Sequence, residues 1–154
     1  FIVDMSNTLN STKFGIPYDK KPLTVRGFYK YTPGPEFHRC PDPTKYNETV
    51  VETDTKDECA INAILYEITS DDEPYITGID TYNEEKLTAV AKLEDGSAKT
   101  EYTSFSINMN YLKPYDPTKK YRFAIICTSS RYGDTFSGAP ESVLFVDDIE
   151  VISE

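Results

Sequence analysis

A chain of 154 residues, 38% hydrophobic and 27% charged, matches one soluble domain, able to take roughly 70% of its unfolded surface out of water without a disulfide or metal. Its net charge of −10, from 16 Lys and Arg against 26 Asp and Glu, argues against a basic nucleic-acid footprint and against a polybasic membrane patch. No apolar run approaches the roughly 18 residues that a membrane-spanning helix needs. The aromatics, 12 Tyr and 8 Phe with no Trp, suit half-wet sheet faces, where a tyrosine ring packs while its hydroxyl stays hydrated.

Six short runs rich in β-branched and aromatic residues follow one another along the chain. They are Pro22 to Tyr31, Cys59 to Ile68, Lys86 to Leu93, Thr103 to Leu112, Lys120 to Ser129 and Ser142 to Ile152. Turn formers separate them ("TPGP", "DDEP", "EDGS", "KPYDPTK", "YGDTFSGAP"), and no sustained helical spacing competes with this reading. In the first run Tyr29 and Tyr31 share one side and Phe28 takes the other. Phe105, Ile107, Met109 and Tyr111 alternate with Ser106, Asn108 and Asn110. The run from Lys120 to Ser129 is apolar on both faces and predicts a central, doubly covered strand. Residues 32 to 57, rich in Pro, Asp, Thr and Lys, read as a long surface excursion. Thr81 and Glu84 stand at capping-box spacing and predict a short helix from Thr81 to Lys86. Six antiparallel strands with apolar faces to cover predict an all-β two-sheet sandwich, a single domain over residues 1–154. A first residue that is not Met leads us to expect the C-terminal part of a longer exported protein.

Little in the chain announces chemistry. Cys40, Cys59 and Cys127 form no metal-ligand spacing; Cys127 is expected to be a buried thiol, and Cys40 and Cys59 could pair across the polar excursion. A single histidine, His38, excludes a multi-histidine zinc site. Asp147 and Asp148 are adjacent, so in a regular strand their carboxylates point to opposite faces and do not form a glycosidase pair. Three readings of the doublet remain: a structural strand end with a bulge, a calcium clamp shared with Asp4, or a catalytic pair. Calcium accepts carboxylate and carbonyl oxygens in flexible geometries, and the sequence requires no other cofactor.

Sugar rings stack on aromatic faces while amides and carboxylates take their hydroxyls, and such a site needs both kinds of group to converge. Tyr29 and Tyr31 are the expected platform, joined by Tyr132 and Asp134 from the glycine-containing loop. Each of these aromatics also has a packing role open to it.

The segments "KPLTVRGFYKYTPG" (Lys21 to Gly34) and "SSRYGDTFSGAPESVLFVDDIEV" (Ser129 to Val151), with weaker agreement at Cys59 to Leu65 and Lys120 to Thr128, resemble the putative carbohydrate metabolism domain family of secreted Bacteroidetes proteins. The resemblance implies a galactose-binding-like jelly roll with a carbohydrate-associated role, on a secreted or cell-surface protein such as an outer-membrane lipoprotein. It transfers no catalytic residue. In the last block Pro140 and Glu141 interrupt the "GxxGS" rhythm that the resemblance leads one to expect. The function expected from the sequence is therefore a non-catalytic carbohydrate-binding module with a glycan or polysaccharide as partner. A structural or protein-interaction sandwich is the alternative, and a glycan-active enzyme the third reading.

Overall fold

The structure, a computed structural model, describes residues 9, 12–71 and 74–154. Among them the strands run, in chain order, β1 (Lys13–Phe14), β2 (Ile16–Tyr18), β3 (Pro22–Thr32), β4 (Phe37–Arg39), β5 (Val50–Glu52) and β6 (Ala60–Glu67). They continue with β7 (Ile76–Thr77), β8 (Ala89–Lys92), β9 (Lys99–Asn108), β10 (Asn110–Tyr111), β11 (Tyr121–Thr128) and β12 (Val143–Ser153). All pairings are antiparallel. A five-stranded sheet in the order β10-β8-β6-β11-β2 faces a three-stranded sheet in the order β12-β3-β9, and β4-β5 and β1-β7 form two small ladders.

The core lies between the two sheets. Val25, Tyr29 and Tyr31 from β3 and Phe105 and Ile107 from β9 meet Ile61, Ala63, Leu65, Ala89, Ala91 and Phe123 from the five-stranded sheet. Period two creates this division, since alternate residues of a strand face opposite sides. Tyr29 and Tyr31 do share one face, as the sequence indicates, but it is the inner one. They are 2% and 1% exposed. Their hydroxyls span the core and donate to the carbonyls of Asp95 (3.1 Å) and Ser129 (2.8 Å), which satisfies the one polar atom that burial would leave wanting. Burial also raises the pKa of both, Tyr31 to about 12. The ring left outside is Phe28.

Three other expectations change in detail. The run from Thr103 to Leu112 is divided: β9 belongs to the three-stranded sheet, Met109 donates its amide to Leu23, and β10 crosses to pair with β8. The central strand is β6, most of whose residues are buried, whereas β11 lies one place from the sheet edge. Because β2 pairs only with Tyr121–Phe123, the later half of β11 is left without that neighbour, and Cys127 is exposed rather than buried. Cys40 and Cys59 are separate buried thiols, not a disulfide.

Strand β12 closes the three-stranded sheet as an edge strand. Val143, Phe145 and Val146, which as an apolar run read as core, are therefore exposed, and Leu144 alone of them packs on the core. The expected bulge is present: pairing with β3 shifts register between Asp147 and Glu150, and Asp148 takes a left-handed φ of 48°. Gly27 makes room for it, since a Cβ there would stand 3.0 Å from the Asp147 carbonyl and 3.1 Å from the Phe105 ring.

Candidate functional site

The outer face of the five-stranded sheet carries a cleft of about 620 Å³, within the roughly 300–1,000 Å³ range of small-ligand sites. Register makes its floor. Val90 of β8 pairs with Ile64 of β6, and one row further along Lys92, Asn62 and Ile126 stand abreast on β8, β6 and β11; Ala60 and Thr128 complete the end. The floor thus grades from aliphatic to polar. Leu9 and Phe14 line the cleft with the aliphatic residues. The expected helix at Thr81 is absent. The segment instead makes a short 3-10 turn, Ile79–Tyr82, and Thr81 donates its hydroxyl to the Gly78 carbonyl at 2.6 Å rather than capping a helix.

Two loops form the walls. Tyr82 comes from the 3-10 turn, and Tyr132 and Asp134 come from residues 130–135. Tyr82 and Tyr132 are 64% and 49% exposed, so both keep ring area free for a ligand. The Tyr82 hydroxyl donates to Asp134 Oδ2 at 2.7 Å and ties the walls together. Desolvation, then the hydrogen bond to Asp134 and its charge, push the Tyr82 phenol up to about 12, so it remains a donor at neutral pH.

A carboxylate beneath the surface holds the second wall. Asp57 is 1% exposed. Its Oδ2 accepts from the hydroxyls of Ser130 (2.6 Å) and Ser142 (2.8 Å) and from the Ala139 amide (2.8 Å), while Oδ1 accepts from the Glu58 amide (2.9 Å). With both oxygens engaged, Asp57 acts as a fastening point for residues 130–142. Gly138 packs beside it, and a Cβ there would lie 2.7 Å from Ser130 Oγ. The glycines of this loop are not its left-handed residues; those are Phe136 and Glu141. Arg131 adds a second anchor. One nitrogen donates to the carbonyls of Cys59, Leu93 and Glu94 at 3.0–3.3 Å, and the other pairs with Glu58 at 2.8 Å.

Of the residues singled out from sequence, Tyr132 and Asp134 stand together on the cleft wall. Tyr29 and Tyr31 do not join them, because the inner face of β3 is sealed by the opposite sheet. Asp147 and Asp148 lie on the other sheet, at the β12 bulge, where Asp147 Oδ1 accepts from the Asp148 amide at 2.9 Å. Asp4 lies outside the described residues. Among the described residues no group of three or more His, Cys, Asp or Glu side chains is placed to hold a metal ion, and no helix is long and apolar enough to cross a membrane. Sequence reasoning missed Asp57, Asn62, Tyr82, Lys92 and Arg131. Asn62 had a signal: it is the lone amide in the apolar run "CAINAIL".

The antiparallel sandwich, with tyrosines on the walls of its outer cleft and a floor graded from aliphatic to polar, is by its relatives a carbohydrate-associated β-sandwich in class. Over residues 1–152 the chain matches the family described as putative carbohydrate metabolism domain, and it belongs to that family. It is similar to the crystal structure of a putative glycoside hydrolase from Bacteroides thetaiotaomicron, with 34% identity and a TM-score of 0.83 over 97% of this chain and 43% of that one. It is similar also to a putative glycoside hydrolase from Bacteroides vulgatus, with 33% identity and a TM-score of 0.80 over 95% of this chain and 57% of that one. The chain therefore spans about half the length of these relatives. No curated protein matches it. The expectation of a domain without catalytic activity is overturned by these two relatives, both described as putative glycoside hydrolases.

Proposed function

We propose that the chain binds a glycan in the outer cleft of its five-stranded sheet, as one part of a longer glycan-processing protein. The observation that carries this reading is the convergence of two exposed rings, Tyr82 and Tyr132, with free polar groups on an otherwise aliphatic floor. Stacking of a sugar ring on such a phenol, on the scale of base stacking on aromatic side chains, is worth about 1–3 kcal/mol. Family membership and the description of the two relatives support the same ligand class. Calorimetry and affinity electrophoresis against mucin glycans and plant polysaccharides test it. Tyr132→Ala is expected to weaken binding about tenfold, the 1.4 kcal/mol step of an equilibrium constant, while melting stays unchanged. Full affinity in Tyr82→Ala and Tyr132→Ala together would remove the cleft as the site.

A second reading, glycoside hydrolysis in the same cleft, is favoured by two acidic residues, Glu94 and Asp134, that are both among those lining it. Acid–base hydrolysis needs two carboxyl groups flanking the scissile bond. Release of reducing ends from a bound glycan, lost in Glu94→Gln or Asp134→Asn while binding persists, would establish it. Hydrolysis that survives both changes would place the chemistry elsewhere.

A further inference from the structure

We infer that the sugar this cleft selects carries a carboxylate, a uronic or sialic acid residue, and that Lys92 and Asn62 receive it. The inference rests on the reading of the cleft as a glycan site and narrows it to a ligand class. Lys92 and Asn62 are direct cross-strand partners on β8 and β6, and both line the cleft. Side chains at such positions leave their strands about 5 Å apart on the same face. Among the described residues neither the Lys92 ammonium nor the Asn62 amide has a hydrogen bond or ion pair with the protein. Two cationic residues, Lys92 and Arg131, are among those lining the cleft. Arg131 is committed to Glu58 and three carbonyls, which leaves Lys92 as the cation open to a ligand there.

The chemistry of the pair fits an acceptor-only ligand. An ammonium offers three donors and no acceptor, an amide adds two donors beside an acceptor oxygen that suits a sugar hydroxyl, and an ionised carboxylate offers two oxygens able to accept from both groups. Val90, Ile64 and Ile126 flank the pair on the floor, and a hydrogen bond from an ammonium to a carboxylate is stronger than one between neutral groups. At the walls, Asp134 and Glu94 repel the same carboxylate. An acidic sugar is thereby oriented, charge down to the floor and ring against Tyr82 and Tyr132. A neutral sugar gains none of this orientation.

Matched pairs of ligands test the inference on the intact chain. Polygalacturonate is compared with its methyl ester, and sialyllactose with lactose, by calorimetry at low and high salt. The acidic member of at least one pair is expected to bind tenfold or more tightly, with the advantage shrinking in salt. Lys92→Met removes that advantage, Lys92→Arg retains most of it, and melting temperatures stay level because Lys92 is exposed. Equal affinity for acidic and neutral members, or an advantage that survives Lys92→Met, overturns the carboxylate assignment while leaving glycan binding in place. Tighter binding of a sulfated glycan than of either carboxylate ligand overturns it as well. Failure of every glycan, neutral or acidic, overturns the glycan reading itself.

Discussion

Replacing Asp57 tests whether the wall of the cleft is held from beneath. In Asp57→Ala four donors lose their acceptor at once: two hydroxyls, the Ala139 amide and the Glu58 amide. The amide of Ala139, in a residue 5% exposed, cannot turn toward water, and an unsatisfied buried donor costs about 1–3 kcal/mol. The Ser130 and Ser142 hydroxyls can rotate toward other acceptors, so their share is smaller. The expected total is about 3–5 kcal/mol, the scale of removing one partner from a buried charged network. For a domain of this size that corresponds to a fall in Tm of about 6–20 °C, at about 2–4 °C per kcal/mol. Asp57→Asn keeps the volume and one acceptor oxygen, and is expected to lose about half as much. Thermal and urea unfolding measure the stability, and amide exchange of residues 130–139 measures the local loosening. Glycan affinity should fall in parallel, since Tyr132 and Asp134 are carried by the freed loop. An Asp57→Ala protein that melts within about 2 °C of the parent would refute the reasoning.

Tyr31→Ala is expected to destabilise by about 3–5 kcal/mol, as large core truncations do, and thermal unfolding would show otherwise if Tyr31 were a surface ring. Tyr31, Tyr82 and Tyr111 have phenol pKa values raised from 10.0 to about 12, desolvation being the largest cause in each. Above pH 10 the unfolded chain therefore loses these protons first, and stability should fall as pH rises from 10 through about 12; a flat melting temperature across that window would contradict it. A structural calcium held by Asp4 with Asp147 or Asp148 entails that chelator lowers the Tm and calcium restores it, by about 2.7 kcal/mol at a hundredfold excess over Kd. An unchanged melting curve in chelator removes the ion.

The antiparallel sandwich was readable because period two is written plainly in β3 and β9, and turn residues punctuate the gaps. What period two does not say is which face is inner. Tyr29 and Tyr31 look alike as a solvent platform or as core, and only the closing sheet decides between them. The edge position of β12 was equally hidden, since Val143 to Val146 read as core until their pairing is known. The C-terminal loop was marked by its small residues, and Ser130, Gly138 and Ser142 do cluster there. Their common target, Asp57, lies 73 residues before Ser130 in the polar excursion, and no local pattern links the two. The cleft floor was illegible for the same reason, because Asn62 and Lys92 meet only through the β6–β8 register.

Glycan engagement at the outer cleft is tested most directly by amide and side-chain chemical shifts during titration with a bound polysaccharide or oligosaccharide. The expected perturbations fall on Asn62, Tyr82, Lys92 and Tyr132 together, on the outer face of the five-stranded sheet. Perturbations confined to Phe28, Ser104 and Phe145, on the opposite sheet, would contradict the account.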